Sequence, residues 1–259
     1  FDKSPYSDYR KELELSEAIT RIFWTKSKIN FKSECFISED SDGFVYKVET
    51  DNKPFSCNIS IKRKQDAYSS CINHDTIIMN GRITYSTHHY YGEGGEGMSF
   101  GAKLRIKTDG ELTTDHSSIT VTDATYVIIY SAFETNYDIN KFDVDEAIDF
   151  KAKLNKTIDT LINAEYEKIK EAHISTHKKW FSNVELELEE TEISKLPTNK
   201  RLKELNWDEF DPDLFALYYD DFNYRKTNSP VEEFKRAKKL LVIDDAGTLT
   251  YEKDRVQAM

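Results

Sequence analysis

Two carboxylates, two imidazoles and two phenols crowd into His88-His89-Tyr90-Tyr91-Gly92-Glu93-Gly94-Gly95-Glu96-Gly97. Aromatic faces stack on sugar C–H surfaces, and carboxylates and imidazoles exchange hydrogen bonds with hydroxyls. A glycine-rich loop carrying His89, Tyr91, Glu93 and Glu96 is therefore a candidate substrate-binding element for a glycan; the plainer reading is a hairpin tip. The string also satisfies G-x-G-x-x-G, but a dinucleotide needs that loop to open a helix whose N-terminus holds the pyrophosphate. Here it opens residues 98–107, which alternate with period two as a strand does, and Glu93 and Glu96 would repel phosphate. No Gly-Lys-Ser/Thr follows, so a phosphate-cradling loop is excluded as well.

The remaining candidates are weaker. His173 and His177 stand four apart on an expected helix, a spacing that can clamp a metal. The string His-Ile-Ser-Thr-His lacks the Glu of a metalloprotease helix, and a packed or capping role fits it better. Adjacent His88 and His89 point to opposite faces of a strand, and His74 and His116 sit in turns. Glu185, Glu187 and Glu189 line the polar face of a strand-like run, a solvated edge. Ile243-Asp244-Asp245-Ala246-Gly247-Thr248 is close to a phosphatase nucleophile loop, but Ala246 stands where its second Asp belongs. Cys35, Cys57 and Cys71 cannot all pair within one chain and have no metal spacing; strand-like positions make them small buried hydrophobes. No metal, cofactor or catalytic residue is assigned.

The elements that must position these residues read clearly. Of 259 residues, 13 % are aromatic, and a chain poor in Gly and Pro but rich in Tyr, Phe, Ile and Thr favours sheet. From Leu13 to about Asn136 the period is two. Ile29, Phe31, Ser33 and Cys35 alternate with Asn30, Lys32 and Glu34; Phe44, Tyr46 and Val48 with Val45, Lys47 and Glu49; Phe55, Cys57, Ile59 and Ile61 with polar residues; Phe100, Ala102, Leu104 and Ile106 likewise. Asp42-Gly43, Asp51-Asn52-Lys53-Pro54, Asn80-Gly81 and Asp109-Gly110 supply turn signals. The pattern predicts eight to ten antiparallel strands in a sandwich or barrel, each with one apolar and one polar face.

The period changes near Asp143. Leu154, Ile158, Leu161, Ile162, Tyr166 and Ile169 fall at helical spacing, with Asp143 and Glu146 as a capping pair, a break near Asn163 and an end near Phe181. Val184, Leu186 and Leu188 predict a returning strand, and Asp211-Pro212 and Ser229-Pro230 predict helix starts. A net charge of −11 opposes nucleic-acid binding, and the best basic run, Lys62-Arg63-Lys64, fits a hairpin end. No apolar run approaches the roughly 18 residues of a membrane helix. The sequence assigns no compartment.

Several of these strings, in order, resemble glycoside hydrolase family 95, whose members are chiefly α-L-fucosidases. Tyr9-Arg10-Lys11-Glu12-Leu13-Glu14-Leu15 with Ala18 is similar to its YRRELDL…A strand, and Glu34-Cys35-Phe36-Ile37-Ser38 to its RE-x-F-x-S segment, with Ser33 in place of Arg. Gly92 through Phe100 resembles GxGGxGMxF. His173, Phe181, Val184, Leu186 and Leu188 resemble the linker pattern, with Asn183 replacing an Arg. Leu196-Pro197-Thr198-Asn199-Lys200-Arg201-Leu202 resembles LPTDERL, and the stretch from Asp211 to Phe222 resembles the first barrel helix. The resemblance implies a β-supersandwich, a helical linker and an (α/α)6 barrel that inverts terminal α-fucosyl linkages, with its acid and water-positioning groups roughly 6.5–9.5 Å apart.

A twelve-helix barrel needs on the order of 250 residues, far more than follow Leu196, and the pattern is lost after Phe222. The expected organisation is thus a sandwich over 1–138, a helical linker with a returning strand over 139–195, the start of a barrel region over 196–228 and an unassigned tail over 229–259. The expected fold class is mainly β with a helical C-terminal part. The expected function is that of a partial carbohydrate-active chain, weakly active or inactive alone; the alternative is a stand-alone carbohydrate-binding or structural module. Its partner would be an oligosaccharide or glycan, and copies would associate through a barrel-facing surface.

Overall fold

A computed structural model of the chain describes residues 6–85, 95–183, 192–204, 211, 241–243 and 249–251. The strands in chain order are β1 (Tyr6–Glu14), β2 (Ile19–Lys26), β3 (Ile29–Ser38), β4 (Gly43–Thr50), β5 (Phe55–Ser60) and β6 (Ala67–Asn73). They continue with β7 (Thr76–Tyr85), β8 (Gly95–Thr108), β9 (Glu111–Thr114), β10 (Ser118–Ala124) and β11 (Tyr126–Thr135). Eight of them form one antiparallel sheet in the order β1-β2-β3-β4-β11-β8-β7-β6, and β5-β10-β9 form a smaller sheet. Two hairpin-linked meanders are thereby joined by β11, which pairs with β4 on one side and β8 on the other.

The small sheet covers one face of the large one. Ile59, Ile119 and Val121 from the small sheet pack with Val48, Ile77, Leu104, Ile106 and Val127 from the large sheet, and Trp24 stacks on Phe31 at their edge with ring centroids 5.0 Å apart. The opposite face is covered by two helices, α1 (Phe150–Asn163) and α2 (Tyr166–Phe181), preceded by a two-residue pair, β12 (Tyr137–Asp138) with β13 (Asp143–Val144). Leu154, Ile158 and Leu161 of α1 and Tyr166 and Ile169 of α2 pack on Ile19, Phe36, Val45, Ile128 and Tyr130.

Helix coverage changes the expected pattern. Val45 lies on the face expected to be polar, yet it is fully buried, and β11 is an almost unbroken apolar run because both its faces are covered. Asn80-Gly81 makes no turn: both residues lie inside β7. A Cβ at Gly81 would stand 2.2 Å from the Asp66 carbonyl oxygen, so glycine is required by close approach. Asp143 does not cap α1. It pairs in β13, and the cap is Asp149, whose carboxylate accepts from the Ala152 amide at 2.9 Å. Among the described residues, ten strands, β2–β11, lie between Leu13 and Asn136, within the expected eight to ten; β1 (Tyr6–Glu14) starts before that region and is exposed along its whole length. The helix break near Asn163 and the end at Phe181 fall as expected.

The chain divides into two compact units, Phe1–His177 and Lys178–Met259. In the second, the described elements are the last turn of α2, a 3-10 turn Glu192–Lys195, α3 (Thr198–Glu204), and a hairpin of β14 (Leu241–Ile243) with β15 (Leu249–Tyr251). Buried Arg201 donates to the Asp211 carboxylate, with Nε 2.7 Å from Oδ2. The expected strand at Val184, Leu186 and Leu188, the helix start at Pro212, and the Glu185–Glu187–Glu189 row lie outside the described residues.

Candidate functional site

Of the four loop candidates, His89, Tyr91 and Glu93 lie outside the described residues. Glu96 is described near the start of β8, 70 % exposed, with its carboxylate 3.4 Å from the Arg82 guanidinium. Arg82 belongs to β7 and is held on two further sides. Its Nε donates to the Gly97 carbonyl oxygen at 3.1 Å and its Nη2 to Glu146 at 2.7 Å. The structure thus brings Glu96 together with Arg82, which was not singled out in the sequence, and Arg82 with Glu146, which the sequence offered only as a capping residue.

Arg82 also borders a surface cleft of about 550 Å³ between the β6–β7 edge and the start of α1. Asp66, Tyr68, Asn80, Ser99, Phe150 and Lys151 line it. Tyr68 stands on the edge strand, 65 % exposed, directly opposite Asn80 in the ladder, and Asn80 in turn faces Gly101. A Cβ at Gly101 would lie 2.9 Å from the Phe150 ring, so the missing side chain lets the first turn of α1 come down beside the floor of the cleft. Asp66 accepts from the Thr84 hydroxyl at 2.6 Å.

A second cluster lies under α2. Glu34 of β3 is 4 % exposed, and each carboxylate oxygen has two partners. Oε1 accepts from Arg21 Nε at 2.9 Å and lies 3.1 Å from Lys32 Nζ; Oε2 accepts from Tyr166 Oη at 3.0 Å and Lys170 Nζ at 2.8 Å. Burial alone would raise the Glu34 carboxyl, but hydrogen bonds from Lys170, Arg21 and Lys32 overcome it and hold the group well below the usual carboxylate range. Burial and the Glu34 charge push the Tyr166 phenol up, so it remains a donor. A carboxylate held ionised near neutral pH, with both oxygens engaged by buried donors, is not placed to shuttle protons. Its role is to fasten α2 to the sheet.

His173 and His177 serve the same attachment. His173 stacks on Phe36 at 4.8 Å, and its Nε2 is 3.3 Å from the Ala18 carbonyl oxygen; His177 Nε2 is 2.7 Å from the Leu15 carbonyl oxygen. Burial lowers the His173 pKa, which keeps the ring neutral. Among the described residues no group of three or more His, Cys, Asp or Glu is placed to hold a metal. Cys35, Cys57 and Cys71 are free thiols pushed up by burial, and Cys57 and Cys71 pack against the inter-sheet core.

The chain matches the family model described as "Glycosyl hydrolase family 65, N-terminal domain" over residues 1–140, and the family 95 catalytic-domain model over residues 165–225. No curated protein sequence matches it. Solved structures that match include a protein assigned as a kojibiose phosphorylase from the human microbiome, 8 % identical, covering 70 % of this chain and 26 % of that one with a TM-score of 0.37. A bacterial glucoamylase complexed with acarbose is 10 % identical and covers 68 % and 29 %, with a TM-score of 0.38. A family 92 α-mannosidase from Bacteroides thetaiotaomicron is 11 % identical and covers 69 % and 25 %, with a TM-score of 0.25. The chain spans between a quarter and three tenths of the length of these structures.

Proposed function

The chain belongs to the glycosyl hydrolase family 65 N-terminal domain family, and from that premise we propose that it is the sandwich and helical linker of a carbohydrate-active enzyme, a scaffold without its own hydrolytic centre. The sandwich occupies residues 1–138, the linker 139–195 and the start of a barrel region 196–228, with 229–259 unassigned. The parent chemistry resembles that of α-L-fucosidases, the hydrolysis of a terminal α-fucosyl linkage, and the partner is a glycan rather than nucleic acid or membrane.

The observation that carries this reading is the extent of the catalytic-domain match. It takes in residues 165–225, whereas a twelve-helix barrel needs on the order of 250 residues. The clustered ionisable side chains point the same way: the Glu34 carboxylate is saturated by four donors. Purified chain incubated with 2′-fucosyllactose is expected to release no fucose above the protein-free control. Release at an ordinary enzymatic turnover, roughly 1 s⁻¹ or faster, would overturn the proposal. A second reading, a module that binds sugar without cleaving it, is favoured by the cleft beside Arg82.

A further inference from the structure

We propose that the cleft between the β6–β7 edge and the first turn of α1 is a binding subsite for a neutral hexose unit, with the Tyr68 ring as its stacking platform. The inference rests on the carbohydrate-active reading for the class of ligand alone; the geometry stands by itself. A cleft of about 550 Å³ falls within the range of small-ligand sites, roughly 300–1,000 Å³. A phenol 65 % exposed on an edge strand offers a wide apolar face beside polar groups, which is what a pyranose needs, since it has one C–H-rich face and a rim of hydroxyls.

Hydroxyl partners surround that face. Asn80 sits opposite Tyr68 in the ladder and supplies an amide that both donates and accepts. The cleft is lined as well by the Asp66 carboxylate, the Lys151 ammonium and the Ser99 hydroxyl. Charge selects neutral ligands. The Arg82 guanidinium is already engaged by Glu146 at 2.7 Å and Glu96 at 3.4 Å, and Asp66 offsets Lys151, so no surplus positive charge remains for a carboxylate or phosphate. The site is preformed, because the close approaches at Gly81 and Gly101 fix the floor and the helix wall.

The test is a titration of the ¹⁵N-labelled full chain, followed by amide chemical shifts, with lactose, 2′-fucosyllactose and glucuronic acid as separate probes. Shifts are expected with the neutral sugars at residues 66–68, 80–82, 99 and 150–151. Tyr68→Ala should weaken binding roughly tenfold or more, while Tyr68→Phe, which keeps the ring face, should stay within about threefold of wild type. Neither change touches a buried group, and the unchanged spectrum of β11 will verify the fold of each variant. The proposal is overturned by no shifts at 20 mM sugar, roughly the weak limit of a useful subsite, by shifts located elsewhere, by indifference to Tyr68→Ala, or by preference for glucuronic acid. Each of these outcomes leaves the fucose-release result unaffected, so the two proposals fail separately.

Discussion

Glu34 illustrates what a single residue decides in this molecule. It carries part of the family-like string Glu34-Cys35-Phe36-Ile37-Ser38, and its alternation with Ser33 and Cys35 marks it as a solvent-side residue of a strand. In the fold it is buried, and Ser33, Phe36 and Ser38 of the same string are buried with it. Apart from Lys32 on the same strand, its partners lie 13 residues before it and more than 130 after it. Period-two reasoning sees one strand at a time, and no local signal announces that a helix will cover this polar face. Truncating one member of a buried ion cluster leaves the others uncompensated, here Arg21 and Lys170. Glu34→Ala is therefore expected to destabilise the chain by about 3 kcal/mol in urea unfolding. A loss below about 1 kcal/mol would mean that the cluster is solvated and does not fasten α2.

At the scale of elements, α2 is held by groups that respond to pH in the same direction. His173 has its pKa lowered by burial, so it contributes stability that is complete above its ordinary value of 6.5 and is lost as the pH falls below that value. Its neighbours set the size of the effect: His177 opposes protonation and Glu39 favours it. Glu34 has a lowered carboxyl, so its contribution is present above 4.5 and is lost as the pH falls further. The urea midpoint is expected to fall between pH 7.5 and 5.5, and His173→Phe, which keeps the stacking on Phe36, should flatten that slope. A midpoint independent of pH in this interval would contradict the assignment.

Strand β7 gives a second test at this scale. Gly81→Ala would bring a methyl to 2.2 Å from the Asp66 carbonyl oxygen and 2.3 Å from the Phe100 ring, and overpacking of this kind costs about 2 kcal/mol. Asn80-Gly81 is a strong hairpin signal by residue type, yet both residues pair in the ladder with β6, and crowding by the Asp66 carbonyl and the Phe100 ring rather than turn geometry explains the glycine. By contrast, the Asp109-Gly110 corner was legible. It falls between β8 and β9, and the Asp109 carboxylate accepts from the Thr125 amide, 16 residues on, at 2.9 Å.

For the molecule as a whole, the antiparallel β architecture followed by helices was legible because each outer strand buries one face and each helix one stripe. The strand order was not, since nothing along the chain says that β11 returns between β4 and β8. Of the loop residues singled out in the sequence, Glu96 pairs with Arg82 at the border of the cleft. Tyr68 and Arg82 drew no attention, and Asn80 was read as part of a turn, because their place in the cleft comes from neighbouring strands and from α1. Two of the family-like strings meet on α2: Phe36 from β3 stacks on His173, and Glu34 from the same string accepts from Lys170.

Together these residues bind α2 to the sheet. Amide hydrogen exchange of wild type and Glu34→Gln, read peptide by peptide, tests it most directly. Residues 166–177 are expected to be protected in wild type and to lose protection selectively in the variant, while β11 is unchanged. Exchange of α2 at the rate of an unprotected helix in wild type, or equal protection in the two proteins, would contradict it.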